Sequence, residues 1–255
     1  YKNWELIFWD NFSNDNSKKI FLSYEDKRFK YFKSEKFTNL TVARNLAMSK
    51  SNGDYIAFLD TDDSWDENKI QNQIDLLKNK DASLVFTNYI IVKKINKKKV
   101  AIKKKIPTTN FVNFFLKKYP VSLSTIVFNK KKFKNYNFNE KYHIIGDFDF
   151  VMNTALNHKI VGINKPLAEI LHHENNETKK KYNLYILELL DWYKNCNKIF
   201  FSFQEFKNYK KLIYYQMAKY FIEKKRYKKL FIIMKRLSLY LNLKVIVFLI
   251  FKILN

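Results

Sequence analysis

The chain has 255 residues, of which 47% are hydrophobic, and it carries 48 basic against 24 acidic residues for a formal net charge of +24. That length and apolar share exclude wholesale disorder and leave one sizeable domain or two small ones. The single Cys196 excludes a disulfide framework or a cysteine-based zinc site, and no run of about 18 apolar residues is present to form a transmembrane helix.

The first element is read at Trp4–Trp9 (WELIFW), an apolar run rich in β-formers, followed by a dense turn signal over Asp10–Ser17. Phe29–Phe32 reads as a second short strand. Thr38–Ser51 has helical spacing at Leu40, Ala43, Leu46 and Ala47, with Thr38 or Asn39 as its cap and Asn52-Gly53 as its stop. Asp54–Leu59 (DYIAFL) is the clearest buried strand and runs straight into Asp60-Thr61-Asp62-Asp63. Glu67–Leu77 reads as an amphipathic helix and Ser83–Tyr89 as another strand. This alternation predicts an α/β domain on a mixed, mostly parallel sheet flanked by helices.

Ile91–Lys105 is lysine-rich with alternating apolar residues and reads as a hairpin or exposed edge. A short helix is expected over Phe111–Lys118, a strand over Leu123–Phe128, a helix beginning at Gly146–Ala155 and a strand over Ile160–Ile170. From about residue 179 onward, apolar and aromatic residues at helical spacing are interleaved with lysine. The predicted organisation is therefore an α/β domain over 1–178 and a basic α-helical region over 179–255.

The charge is divided unevenly. Residues 1–90 hold 13 basic and 14 acidic side chains, whereas residues 91–255 hold 35 and 10. Only four of the basic residues are arginine, and glycine and proline number three each. An AT-rich coding sequence favours this composition, so part of the excess need not reflect a polyanionic partner.

Three carboxylates placed directly after a buried strand stand where open sheets bind ligands. Their mutual repulsion makes a cation a natural partner, and hard oxygen ligands suit Mg²⁺ or Mn²⁺. On its own the triplet fits a solvated acidic loop with capping aspartates equally well. Two further constellations are Gly146-Asp147-Phe148-Asp149 and His172-His173-Glu174-Asn175-Asn176. Asp147 could serve as a general base or simply cap the following helix.

Taken together, Ala43-Arg44-Asn45, the stretch Asn52–Trp65 (NGDYIAFLDTDDSW) with Lys69, and the upstream Trp4–Ser17 segment resemble glycosyltransferase family 2 over roughly the first ninety residues. The resemblance implies a GT-A (Rossmann-like) fold and an inverting transfer of sugar from a nucleoside-diphosphate sugar to an acceptor hydroxyl, in cell-surface polysaccharide or glycolipid synthesis. Carried over by position, Asp10 contacts the nucleotide base, Arg44 faces the donor, Asp60 faces the ribose and a divalent metal (Mn or Mg), and Asp62 ligates that metal. Ile145–Phe150 resembles the family's G-E-D-x-D-L motif and makes Asp147 the catalytic base, with Gly146 where Glu is common. His173 aligns with a histidine near metal and diphosphate, with Leu171 where Arg is common, so that Lys179–Lys181 could substitute. Asn11 and Phe12 depart from the usual Asp and Gly. His143 and His158 receive no role. The family's opening strand has no match here, which implies a natural protein longer at its N-terminus. A truncated or non-catalytic relative that binds sugar or membrane is the alternative.

Two partner classes compete for the basic residues. Lys219–Lys229 and Met234–Asn255 mix lysine with Phe, Tyr, Leu and Ile. The run Val245–Phe251 between Lys244 and Lys252 is too short to span a bilayer but suits a helix lying on one. Nucleic acid is disfavoured because arginine is scarce and no reader motif occurs. The expected partners are thus the donor, a saccharide or lipid-linked acceptor and an anionic membrane surface, with a cytoplasmic location, peripheral on the cytoplasmic face of the membrane.

Overall fold

A computed structural model describes residues 1–93 and 97–254. Its elements run in the order β1 (Leu6–Asp10), α1 (Ser17–Leu22), β2 (Phe29–Lys33), α2 (Leu40–Ser49), β3 (Tyr55–Ala57), β4 (Ser64–Trp65), α3 (Lys69–Asn79), β5 (Leu84–Val92), β6 (Lys98–Val100), α4 (Phe111–Lys117), β7 (Ile126–Asn129), α5 (Gly146–Asn157) and β8 (Ile160–Leu171). There follow α6 (Glu177–Lys180), α7 (Tyr182–Asn195), α8 (Gln204–Glu223), α9 (Tyr227–Met234) and α10 (Leu239–Leu254). The chain forms two compact units, one of Tyr1–Phe111 with Pro120–His173, the other of Val112–Tyr119 with Glu174–Asn255. The sequence suggested a single cut after residue 178.

In the first unit β1 and β2 form a parallel pair, Leu6 opposite Phe29 through Asp10 opposite Lys33. Their apolar face is closed by α1, where Phe21 packs 4.8 Å from Phe8, ring centre to ring centre. The larger sheet has the order β3-β7-β5-β8-β4, with β6 on the far end of β5. It is mixed, as expected, but its parallel share is smaller than the strand–helix alternation suggested. Among the described strands of this sheet β5–β8 alone runs parallel, while β3–β7, β5–β7, β4–β8 and β5–β6 are antiparallel. The antiparallel partners are short strands of two to four residues, and such runs carry too little periodicity to announce a direction. Residues 94–96 of the expected Ile91–Lys105 hairpin lie outside the described residues, and the described part supplies β6.

The core of this sheet follows from α3. Ile74 and Leu77 lie three apart on one helical face and pack with Ala82, Val85 and Val127, all at most 3% exposed. Helix α2 is capped as the sequence suggested: the Asn39 side chain accepts from the Val42 amide at 2.8 Å. Its following turn is fixed by Glu5, whose Oε1 accepts from the amides of Asn52 at 2.6 Å and Gly53 at 3.0 Å. Lys30 donates to the other oxygen of Glu5 at 2.6 Å. Burial alone would raise the Glu5 pKa, but Lys30 and the two amides outweigh it and hold the carboxyl down to about 2.

The second unit is helical. Trp192 of α7 is 1% exposed and packs among Phe200, Phe206 and Tyr209. A second cluster joins Ala218 and Ile222 of α8 to Leu230 and Ile233 of α9 and Val245 of α10. Among the described residues no helix is long and apolar enough to cross a membrane.

Candidate active site

Strand β3 stops at Ala57, earlier than the sequence suggested, because Phe58 turns away and packs edge-on against Phe138 at 5.5 Å. The acidic loop follows. Asp60, Thr61 and Asp62 are exposed and Asp63 is half-buried. Asp63 is the loop's inward anchor. Its Oδ2 accepts from Ser124 Oγ at 2.6 Å and its Oδ1 from the Leu171 amide at 3.1 Å. The Asp60 amide donates to the same Ser124 Oγ at 3.1 Å, and Trp65 Nε1 donates to the Ser124 carbonyl at 2.7 Å. One serine, in the turn that leads into β7, therefore ties both ends of the loop down, while the side chains of Asp60 and Asp62 stay exposed. Burial, reinforced by the charges of Asp60 and Asp62 and opposed by the Ser124 and Leu171 hydrogen bonds, pushes Asp63 up to about 6.

Arg44 reaches the loop from α2, with Nη2 3.8 Å from Asp60 Oδ1. Its neighbour Asn45 does structural work: its side chain donates to the Phe138 carbonyl at 2.9 Å and accepts from the Phe138 amide at 2.8 Å. This pins the segment leading to α5. His143, given no role from sequence, accepts from the Leu40 amide at 3.1 Å and so closes the start of α2. His158, likewise without a role, packs 4.4 Å from Phe133, and burial lowers its pKa.

Helix α5 begins at Gly146 against α2. A Cβ built on Gly146 would lie 2.1 Å from Thr41 Cγ2. The position where Glu is common is thus filled by the threonine methyl. This close approach sets Asp147 in the first turn of α5, within the field of Arg44 and Asp60. Burial raises the Asp147 pKa, Arg44 and the Phe148 amide counter it, and Asp60 adds to the rise. Tyr89 of β5 is raised to about 12 by burial, and the charges of Asp147 and Asp63 add to the rise. The pairing of β5 with β8 slips on either side of Asn88, immediately before Tyr89, a bulge of the kind that re-aims side chains beside functional sites. Asp149 instead accepts from Asn153 one turn along its own helix at 3.0 Å.

From the other side of the loop, His173 Nε2 lies 2.8 Å from Asp62 Oδ2. Arg44, Asp60, Asp62, Asp147 and His173 are therefore brought around one acidic loop. Asp10 forms its own cluster at the end of β1. It is 2% exposed, accepts from the Ser13 amide at 2.6 Å and from the Tyr31 hydroxyl, and lies near Lys33. Burial alone would raise its pKa, but these partners hold it below the usual value. Asn11 clasps Thr38, accepting from its amide at 3.1 Å and donating to its carbonyl at 2.8 Å. Phe12, where glycine is usual, takes the left-handed backbone at φ 72°, a conformation costly for a side-chain-bearing residue.

Sequence reasoning did not single out Ser124, Tyr89, Asn45 or Tyr31. Ser124 and Tyr89 join the site only through sheet pairing. Asn45 was legible as part of an Arg-Asn pair but not as the residue that holds a distant backbone. Among the described residues, no three acidic, histidine or cysteine side chains are close enough to enclose a metal by themselves. Asp60, Asp62 and His173 are hard-oxygen and imidazole donors, types that Mg²⁺ or Mn²⁺ accept, but they are not gathered into such a group.

The family model for glycosyl transferase family 2 matches residues 1–151, more than half of the chain. The chain belongs to glycosyltransferase family 2. Two Escherichia coli relatives, WfgD and WfaP, are UDP-Glc:alpha-D-GlcNAc-diphosphoundecaprenol beta-1,3-glucosyltransferases. WfgD is 33% identical over 138 residues, covering 54% of this chain and 53% of its own. WfaP is 32% identical over 140 residues, covering 54% of each. The matched stretch spans about half the length of these relatives. Among solved structures, S. aureus TarS (residues 1–349, in complex with UDP-GlcNAc) superposes with a TM-score of 0.60 at 18% identity, over 85% of this chain and 63% of that one. Its likeness establishes the GT-A architecture, with the helical C-terminal region following it.

Proposed function

We propose that this family 2 member transfers a sugar, with inversion, from a uridine or thymidine diphosphate sugar to an acceptor hydroxyl in the synthesis of a cell-surface polysaccharide or glycolipid. The observation that carries this reading is the convergence on one acidic loop of a carboxyl of raised pKa (Asp147), a guanidinium (Arg44) and an outward pair of carboxylates (Asp60 and Asp62). Asp147 accepts the proton of the acceptor hydroxyl as that oxygen attacks the anomeric carbon. Burial raises the Asp147 pKa, and a carboxylate of raised pKa is a stronger base than an unperturbed one. Arg44 offsets the negative charge of the loop as the nucleoside diphosphate leaves. Asp10, desolvated and held by Tyr31, presents a fixed acceptor to the nucleotide base. Asp60, Asp62 and His173 would hold a divalent cation, which would neutralise diphosphate charge when bound.

The donor class is supported by the UDP-Glc named for WfgD and WfaP and by the UDP-GlcNAc bound to TarS. The diphosphoundecaprenol in the names of the two E. coli relatives supports a lipid-linked saccharide as acceptor. A lipid-linked acceptor of this kind supports a reading in which the enzyme works in peripheral contact with an anionic membrane, on its cytoplasmic face. The test is nucleoside-diphosphate release over a panel of nucleotide sugars, with Mn²⁺, Mg²⁺ or chelator. One donor should be turned over, and Asp62→Ala should remove the cation dependence together with most of the rate. Turnover indifferent to Asp62→Ala would overturn the site.

A further inference from the structure

The second unit ends in a helix whose outward face is apolar along its full described length. In α10 the buried residues are Leu241 and Val245, and Val245 packs onto α8 and α9. The exposed ones are Leu239, Tyr240, Leu243, Ile246, Val247, Ile250, Phe251 and Ile253. At 3.6 residues per turn these eight occupy an arc of about 160°, and no charged residue of the described helix falls inside it. Several are highly exposed: Leu239 at 78%, Val247 at 67%, Ile253 at 69%. Between this face and Tyr215 of α8 runs a groove of about 570 Å³ floored by Phe248. Helix α9 continues the apolar character with exposed Phe231 and Ile232.

Charge identifies the occupant. Residues 224–255 contain nine basic side chains and no acidic one, and all nine are exposed. Several lie over the aromatic rings that border the apolar arc: Lys244 Nζ is 4.3 Å from the centre of the Tyr240 ring and Lys235 Nζ 5.0 Å from that of Phe231. Long cationic side chains leaning along rings at the rim of an apolar face are the arrangement of an interfacial helix, with its charges at headgroup level. A second copy of the chain is a poor match, since it would set two strongly basic segments against each other.

We propose that the exposed face of α10, with the basic rim supplied by α9 and its flanking residues, docks onto an anionic lipid bilayer. This deepens the membrane contact in the proposed function, yet it depends on no step of the chemistry at the acidic loop.

The experiment is co-sedimentation of the full chain with vesicles of phosphatidylcholine alone and with 30% phosphatidylglycerol, at low and high salt, alongside gel filtration. Binding should require the anionic lipid and weaken with salt. Leu243→Ser/Val247→Ser/Ile250→Ser, all at exposed positions, should reduce it about a hundredfold by removing buried apolar surface. Lys228→Gln and Lys229→Gln should each reduce it about fivefold. Circular dichroism of all three variants should match the parent. Equal binding to neutral vesicles, no binding at all, or undiminished binding by the triple variant would overturn the proposal. So would a dimer that the triple variant abolishes, which would assign the face to a second copy. Donor turnover is read in the same samples without vesicles. For the unmutated chain, no vesicle binding with turnover present refutes the docking surface alone, and no turnover with vesicle binding present refutes the catalytic reading alone.

Discussion

Replacing Gly146 by alanine tests how Asp147 is placed. The added Cβ would meet Thr41 Cγ2 at 2.1 Å, well inside contact distance, so the threonine must move. Thr41 is fully buried, and its hydroxyl donates to the Tyr142 carbonyl and lies 2.8 Å from Asn39 Oδ1. Rotating the methyl away breaks these hydrogen bonds, at about 1 kcal/mol each. Alanine returns at most about 1 kcal/mol through helix propensity. The net expectation is a loss of about 1–2 kcal/mol, together with a displaced Asp147 and reduced turnover. Thr41→Ser keeps the hydroxyl and removes the obstructing methyl, at a cost of about 1 kcal/mol for the lost buried carbon. In the double variant the clash is gone, so Gly146→Ala should cost nothing further. Denaturant unfolding followed by tryptophan fluorescence measures all four proteins as a cycle. A coupling energy near zero, or a Gly146→Ala variant as stable as the parent, would refute the close-approach argument.

Two other outcomes follow from groups held away from their ordinary ionisation. Lys69 is fully buried over the Trp65 ring at 4.0 Å, its ammonium has no hydrogen-bond partner, and burial lowers its pKa to about 7. The unfolded chain therefore binds more protons between about pH 7 and 10, so stability should rise with pH across that window, by up to roughly 4 kcal/mol, and Lys69→Met should flatten the rise. Glu5 has the same sign of dependence in a lower window. With its folded pKa down at about 2, its contribution is complete above pH 4.5 and is lost as pH falls toward 2. Glu5→Gln should remove about 2 kcal/mol at pH 7, after allowance for solvent screening, and less at pH 3, by denaturant unfolding at the two pH values.

Local patterns in the sequence carried the long elements and the acidic loop. Helix α3 was legible because Ile70, Ile74 and Leu77 share a face, and β8 because its apolar run is long. Asn39 was legible as a cap because its side chain acts on its own helix. What sequence could not reveal depends on pairings across the chain. Strand β4 has only two residues and exists because Ser64 and Trp65 lie opposite Glu169 and Ala168. Leu123–Thr125, expected as strand, forms a 3₁₀ turn whose Ser124 reaches back across 61 residues to Asp63. The odd Gly146 carried no signal until α2 was in place beside it. The N-terminal region illustrates the same limit: Asn11 and Phe12 read as departures from a motif, yet one clasps Thr38 and the other takes the backbone conformation a glycine would.

The central claim is that Asp147 removes the acceptor proton at a donor site built on Asp60 and Asp62. It is tested most directly by comparing Asp147→Asn with the parent, measuring donor affinity by calorimetry and transfer by nucleoside-diphosphate release at saturating donor and acceptor. Loss of a positioned general base is expected to slow transfer by about 10²–10⁴-fold while donor affinity stays within a few-fold. A transfer rate within tenfold of the parent, with donor affinity intact, would contradict it.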